Sequence, residues 1–229
     1  MYKGIVFDIG QTLIEYNKPL NWSDLYRSAL ENISNNCGYN FKESDFQYAI
    51  EILTKYNTRI NPRKYEVSST HIFKELLNGI NKPIHDLERV KRYFFSYFRR
   101  DVVEYPEVKE TLIELANRGI ILATLSDVAY GMDNQYVLDD IKSLRKYINY
   151  PYTSNDVGYR KPSAEGLKIL AKAMNLNLEE IIFVGDEEKD IICANKAGAY
   201  SVLINREKTY KKYGQSREIY SLKELLDIV

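Results

Sequence analysis

Four short polar segments, widely separated in the chain, carry the residue types that metal-assisted phosphoryl transfer needs. A phosphate ester repels an anionic nucleophile, so a carboxylate attacks phosphorus only where positive charge neutralises the phosphoryl oxygens. Asp8 is the candidate nucleophile, giving an aspartyl phosphate, and Lys161 is the candidate point charge that bridges nucleophile and phosphate. The segments are residues 8–12, Ser126, Lys161, and residues 185–190.

The same segments offer oxygen atoms for a magnesium ion and donors for a phosphate group. Mg²⁺ prefers carboxylate and carbonyl oxygens, and the backbone carbonyl of Gly10 remains available whatever the side chain at that position. The predicted metal ligands are Asp8, Gly10, Asp186 and Asp190. The predicted catalytic residues are Asp8, Ser126 and Lys161, and the predicted phosphate-binding residues are Thr12, Ser126, Asp127 and Lys161.

Three of the four segments follow or end an apolar run that is typical of a buried strand, at residues 5–7, 120–125 and 181–184. Ligands of open α/β sheets bind just beyond the carboxyl ends of such strands, so these polar residues can converge on one crevice. Further β-like runs at 148–153 and 201–204 alternate with helical periodicity. This order predicts right-handed βαβ units and a parallel sheet with helices on both faces.

The chain between the first strand and residue 102 has helical periodicity throughout. Apolar stripes at spacings of three and four predict four amphipathic helices, the first capped by Asn21 and the fourth opened by Pro83. Four such helices can bury their stripes against one another as a small bundle. We therefore predict a catalytic core at residues 1–14 and 102–229, and an inserted helical domain at 15–101.

Composition restricts the class of protein. The 229 residues include 32 basic and 32 acidic side chains, so no overall charge favours nucleic acid or a membrane surface. No apolar run approaches the roughly 20 residues that span a bilayer, and Asp8 interrupts the early apolar stretch of any leader. Cys37 and Cys193 have no metal-ligand spacing and are too few for a disulfide framework. We expect a reduced cytoplasmic protein that binds neither nucleic acid nor membrane.

At these residues the chain resembles the haloacid dehalogenase-like hydrolase superfamily. Residues 8–13 after their apolar run resemble its first motif, Ser126 the second, Lys161 within 158–162 the third and residues 185–190 the fourth. The helical insertion resembles the cap of the subgroup that places its cap directly after the first motif. The resemblance implies a Rossmann-like five-stranded core, a Mg²⁺ cofactor, and a four-helix cap that closes over a small phosphorylated substrate.

The first motif departs from the phosphatases of that superfamily at Gly10. Their second aspartate, two residues after the nucleophile, protonates the leaving oxygen and then activates water, and glycine does neither. Such assistance is typically worth about 10²- to 10⁴-fold in rate, which predicts a slow phosphatase, one restricted to good leaving groups, or one with a substitute acid. Glu15, Asp127 or a cap residue are the candidate substitutes, and restoring the acid in Gly10→Asp is expected to raise turnover of poor leaving groups.

Three alternatives to a phosphatase follow from the same resemblance. Phosphonatases also lack the second aspartate and use a cap lysine that forms a Schiff base with the substrate. Lys55 and Lys64 are the available cap lysines. Dehalogenases need no metal, so the acid pair of the fourth motif argues against halide displacement. The third alternative is a binding protein that keeps the fold and the Mg²⁺ site but has no turnover. Arg59, Arg63 and Lys64 form a basic loop in the cap that either meets the substrate or is merely solvated.

Overall fold

A computed structural model describes residues 2–16, 21–99 and 101–229. Within these residues, six parallel strands form one sheet in the order β5-β4-β1-β6-β7-β8. The strands of this sheet are β1 (Gly4–Phe7), β4 (Ile121–Ser126), β5 (Tyr150–Thr153), β6 (Ile181–Gly185), β7 (Tyr200–Ile204) and β8 (Arg217–Ile219). Two further strands, β2 (Ile14–Tyr16) and β3 (Val102–Glu104), form a separate antiparallel pair.

The central strands β1 and β6 are buried over their whole length, which explains why they appear in the sequence as unbroken apolar runs. Successive side chains point to opposite faces: Ile5 and Phe7 pack in one apolar cluster, while Val6 packs in another. Helices cover both faces, as predicted. They are α5 (Val108–Asn117) and α6 (Asn134–Asp140), and α7 (Ser154–Val157), α8 (Glu165–Met174) and α9 (Glu188–Ala197).

The five predicted strands are present, and β8 adds a sixth at the edge of the sheet. β8 has only three residues, two of them charged, so it carries no apolar run that would have marked it as a strand. It is held by its parallel pairing with β7. Tertiary pairing, and not local pattern, defines this strand.

The inserted segment contains the four expected helices, α1 (Tyr26–Cys37), α2 (Glu43–Tyr56), α3 (Ser69–Gly79) and α4 (Leu87–Phe98). Their buried faces form one cluster with an aromatic centre at Phe73, Phe94 and Phe95. Asn21 caps a short 3₁₀ turn ahead of α1, where its side chain accepts a hydrogen bond from the Ser23 amide. Residues 17–20 and Arg100, which belong to the predicted cap, lie outside the described residues.

The antiparallel pair of β2 and β3 connects the helical segment to the sheet at both of its ends. Ile14 pairs with Glu104 and Tyr16 with Val102. The chain therefore leaves and re-enters the core side by side, close to the first motif. In the described part of the chain, no helix is both long and apolar enough to cross a membrane.

Candidate active site

Asp8 lies at the carboxyl end of β1, where the sheet exposes its polar edge. Its backbone amide donates to the Val184 carbonyl of β6 at 2.9 Å, which fixes the end of β1 against β6. Lys161 Nζ donates to Asp8 Oδ1 at 2.6 Å and lies 2.6 Å from Asp190 Oδ1. The Lys161 and Asp190 side chains are almost wholly buried. This is a prearranged cluster of opposite charges, as the spacing of the motifs predicted.

Lys161 remains cationic in this setting. Burial alone would lower the pKa of Lys161, but the charges of Asp190, Asp8 and Asp127 outweigh burial and hold that pKa well above its ordinary value. The ammonium group is therefore a fixed positive charge next to the candidate nucleophile.

Asp186 and Asp190 complete the acidic cluster. One carboxylate oxygen from each of Asp8, Asp186 and Asp190 lies within 4.8 Å of the others. Burial, followed by the charge of Asp8, raises the pKa of Asp186, and burial is also the main cause that raises the pKa of Asp190. Three carboxylates that are forced together in this way suit a divalent cation, which relieves their mutual repulsion. We call Asp8, Lys161, Asp186 and Asp190 the floor of the site.

Gly185 allows Asp190 to reach the floor. A Cβ atom on Gly185 would lie 2.4 Å from Asp190 Cγ, so a larger residue would displace the carboxylate. The Glu187 amide donates to Asp190 Oδ2 at 3.0 Å, in a capping box that starts α9. The fourth motif therefore combines a strand end, a close approach at Gly185 and a helix start.

The predicted phosphate-binding residues lie in different environments. Ser126 ends β4 and lines the cavity above the floor, as does Asp127. The Asp127 carboxylate accepts from the Lys161 amide at 3.1 Å and faces Arg160 and Lys189 at 3.9 and 3.8 Å. The Asp127 carboxylate therefore faces two cationic side chains. Thr12 is fully buried, and its hydroxyl donates to Asp186 Oδ1 at 3.5 Å, which positions a floor carboxylate.

The surroundings of Gly10 contain two residues that sequence reasoning missed. A Cβ atom on Gly10 would lie 3.1 Å from Tyr16 Cε2, so the aromatic ring occupies the space next to this glycine. The Tyr16 hydroxyl donates to Asp140 Oδ2 at 3.2 Å. Burial and the charge of Asp140 raise the pKa of Tyr16, so the phenol stays protonated. Nothing in the sequence indicated this pair, because Asp140 comes 124 positions later, in α6.

A cavity of about 1970 Å³ separates the floor from the helical segment. Trp22 lines this cavity and also packs within the helical segment, where its ring stacks on Phe98 with centroids 4.0 Å apart. The side chains of the basic loop also line the cavity, and Arg59 reaches across to Glu187 at 3.5 Å. We call five of the cavity-lining residues of the helical segment the roof: Trp22, Asn57, Arg59, Arg63 and Lys64.

A buried polar cluster joins the roof segment to the core. Glu66 and Arg160 form an ion pair in which both side chains are less than a tenth exposed, and Glu66 Oε2 also accepts from the Ser154 hydroxyl at 2.6 Å. The backbone reinforces this contact, since the Glu66 amide donates to Gly158 O at 3.0 Å and the Arg160 amide to Lys64 O at 2.9 Å. We call Glu66, Ser154 and Arg160 the clasp.

The residues considered for alternative chemistry are placed less favourably. Glu15 is exposed on β2 and does not line the cavity. Lys55 is paired with Glu75 at 2.6 Å, away from the cavity. Lys64 lines the rim with an exposed side chain, 5.6 Å from the ring centroids of Tyr65 and Tyr159. A Schiff-base lysine is normally activated by an apolar pocket or a neighbouring cation, and the exposed Lys64 lacks the apolar pocket.

Comparison with known proteins places this arrangement in a family. A model of the haloacid dehalogenase-like hydrolases matches residues 5–204. A glyceraldehyde 3-phosphate phosphatase of Methanocaldococcus jannaschii is 31% identical, covering 100% of this chain and 97% of that protein. A ribulose-1,5-bisphosphate 5-phosphatase of Halopiger xanaduensis is 26% identical over 90% of this chain and 85% of that protein.

Solved structures share the fold. A 2-haloacid dehalogenase from Pseudomonas syringae superposes with a TM-score of 0.68 at 18% identity, covering 100% of this chain and 98% of the other. A phosphatase from Thermococcus onnurineus gives 0.62 at 21% identity, covering 99% and 97%. The family model covers most of the chain, and the relative from Methanocaldococcus jannaschii covers all of it. The chain belongs to the haloacid dehalogenase-like hydrolase family.

Proposed function

We propose that this hydrolase is a Mg²⁺-dependent phosphatase of a small phosphorylated metabolite, acting through an aspartyl phosphate on Asp8. The observation that carries the proposal is Lys161 Nζ, 2.6 Å from both Asp8 and Asp190. A buried cation in contact with a carboxylate offsets the repulsion between that carboxylate and a phosphoryl group. The names of the relatives, which are phosphatases of small phosphorylated compounds, support the same chemistry.

Two displacements at phosphorus give the reaction. An Asp8 carboxylate oxygen attacks phosphorus, the bond to the leaving oxygen breaks, and that oxygen gains a proton. A water molecule then attacks the phosphorus of the aspartyl phosphate, the bond to Asp8 breaks, and inorganic phosphate leaves with Asp8 regenerated. Lys161 holds the carboxylate in place in both steps, and Ser126 offers a hydroxyl donor to the phosphoryl oxygens.

The acidic cluster fits a resident magnesium ion. Asp8, Asp186 and Asp190 would hold it with the Gly10 carbonyl, and the ion would supply positive charge for the phosphoryl oxygens. Thr12 contributes indirectly, by its hydrogen bond to Asp186. The helical segment, residues 15–101, is assigned as the cap that covers the substrate, since its side chains form the roof of the cavity.

The test measures phosphate release from p-nitrophenyl phosphate and acetyl phosphate, with Mg²⁺ or with EDTA, in wild type and Asp8→Asn. We expect metal-dependent hydrolysis that falls by about 10³-fold or more in the variant, since the nucleophile is gone. Mg²⁺ should also raise the melting temperature of the wild type, because ligand binding to the folded state stabilises it. Hydrolysis that survives Asp8→Asn would contradict the assignment.

A further inference from the structure

An aromatic ring packs closely against Gly10, the residue that stands where related phosphatases have their second aspartate. Tyr16 Cε2 lies 3.1 Å from the place where a Cβ atom on Gly10 would stand. Both residues line the cavity together with Asp8. Any side chain at residue 10 would therefore compete for space with the ring. The absence of a side chain at residue 10 leaves room for the Tyr16 ring.

The Tyr16 hydroxyl is directed by Asp140. It donates to Asp140 Oδ2 at 3.2 Å, and Asp140 is itself largely buried and lies 3.9 Å from Arg99. The charge of Asp8 is close enough to contribute to the raised pKa of Tyr16. Tyr16 also ends the short strand β2, whose pairing with β3 fixes its backbone. Tyr16 thus lines the same cavity as the candidate nucleophile, with its ring against Gly10 and its hydroxyl held by Asp140.

We propose that Tyr16 takes over the leaving-group contact that residue 10 cannot make. This inference rests on the proposed phosphatase function. As the bond between phosphorus and the leaving oxygen lengthens, that oxygen gains negative charge and becomes a stronger acceptor than before. Rotation of the phenolic O–H from Asp140 toward that oxygen supplies a hydrogen bond without moving a heavy atom. Tyr16 remains a neutral phenol throughout, and the proton that finally neutralises the leaving oxygen comes from water.

The decisive variant is Tyr16→Phe, which keeps the ring against Gly10 and removes only the hydroxyl. A hydrogen bond to a charged group is worth about 10- to 100-fold in rate. We expect kcat with phenyl phosphate, a poor leaving group, to fall by about that factor. With p-nitrophenyl phosphate, whose leaving group needs little help, kcat should change by less than about threefold. Equal losses on both substrates, or no loss on either, would overturn the proposal.

Two controls separate the hydroxyl from general disturbance of the site. Tyr105→Phe makes the same chemical change at a tyrosine that does not itself line the cavity, although its hydroxyl donates to the cavity residue Gln11 at 2.9 Å, and it should leave the ratio of the two rates unchanged. Asp140→Asn retains an acceptor for Tyr16 and should keep the wild-type ratio of the two rates. Asp140→Ala, which removes the acceptor, should lower the rate with phenyl phosphate selectively. Failure of this Asp140 pattern counts against the proposal.

The packing argument has its own test in the pair of residues 10 and 16. Contrary to the expectation from the sequence, Gly10→Asp alone should not raise turnover of phenyl phosphate, because the ring of Tyr16 crowds the new side chain. In a Tyr16→Ala background the same substitution should raise it, since the space is now open. A gain in the wild-type background would show that the ring does not replace the carboxylate. The Asp8→Asn assay tests the phosphatase function independently of all these variants.

Discussion

The floor and the roof of the cavity differ in how far their charged side chains are exposed to water. Lys161 on the floor has a side chain 1% exposed and ion pairs at 2.6 Å, whereas Arg59 in the roof is 84% exposed and meets Glu187 at 3.5 Å. A buried charge interacts strongly and is screened little, while an exposed charge is weakened by water and salt. The difference suggests a division of labour. The floor is suited to the chemical step, and the roof to attracting and selecting substrates.

Lys161→Met breaks the floor and is expected to have the largest effect. It removes the charge that offsets repulsion between Asp8 and a phosphoryl group, so kcat should fall by about 10³-fold. It also leaves Asp8 and Asp190 without their buried partner, which should lower the free energy of unfolding by about 3 kcal/mol. Phosphate-release kinetics and urea denaturation measure the two effects.

Lys189→Met provides the matched comparison for Lys161→Met. Lys189 is one third exposed and pairs with Glu187 at 2.5 Å and Asp127 at 3.8 Å, so it stands between floor and roof in burial. We expect an intermediate loss, about tenfold in kcat/KM. An effect as large as that of Lys161→Met would remove the contrast on which the division of labour rests.

Gly185→Ala distorts the floor without removing any charge. Because a Cβ atom here would stand 2.4 Å from Asp190 Cγ, the carboxylate must move. Displacement of a catalytic group by about 1 Å costs on the order of 10²-fold in rate. We expect kcat to fall by that factor and the melting-temperature increase caused by Mg²⁺ to shrink. An unchanged increase would mean that Asp190 keeps its place and that Gly185 has another purpose.

The sequence predicted the convergence of the floor residues but not the contacts that Tyr16 and Glu66 make with distant parts of the chain. Asp8, Asp186 and Asp190 follow the apolar runs of β1 and β6, and the ends of parallel strands meet at one edge, so their convergence was predictable. Lys161 follows no strand and was assigned by its resemblance to the third motif. Tyr16 and Asp140 were not predictable, because their contact depends on how β2 folds back over the first motif. The clasp was missed for the same reason: Glu66 and Arg160 are 94 positions apart, and although Arg160 lies in the third motif, Glu66 belongs to none of the four.

Glu66→Gln tests the link between the two regions. It removes the buried ion pair with Arg160 and leaves that guanidinium with the longer charged contact to Asp127, at 3.9 Å. Loss of one partner of a buried ion pair typically costs about 3 kcal/mol. We expect the free energy of unfolding to fall by about that amount, with a smaller effect on kcat for p-nitrophenyl phosphate. Glu114→Gln, which breaks the exposed pair with Arg118, is the control and should be close to wild type in stability. Equal stabilities of the two variants would show that the clasp does not hold roof and core together.

Arg59→Ala probes the roof alone and is expected to have the smallest effect. Its exposed charge is well screened, so loss of the side chain should raise KM by about two- to fivefold and leave kcat unchanged. The effect should shrink at high salt, since the Debye length falls to about 3 Å at 1 M. Arg27→Ala removes another exposed arginine, 44% exposed and outside the cavity, paired with Glu31 and Glu43, and should change neither constant. A tenfold loss of kcat in Arg59→Ala would place the roof in the chemical step, because only groups that act in the transition state lower kcat with little change in substrate binding.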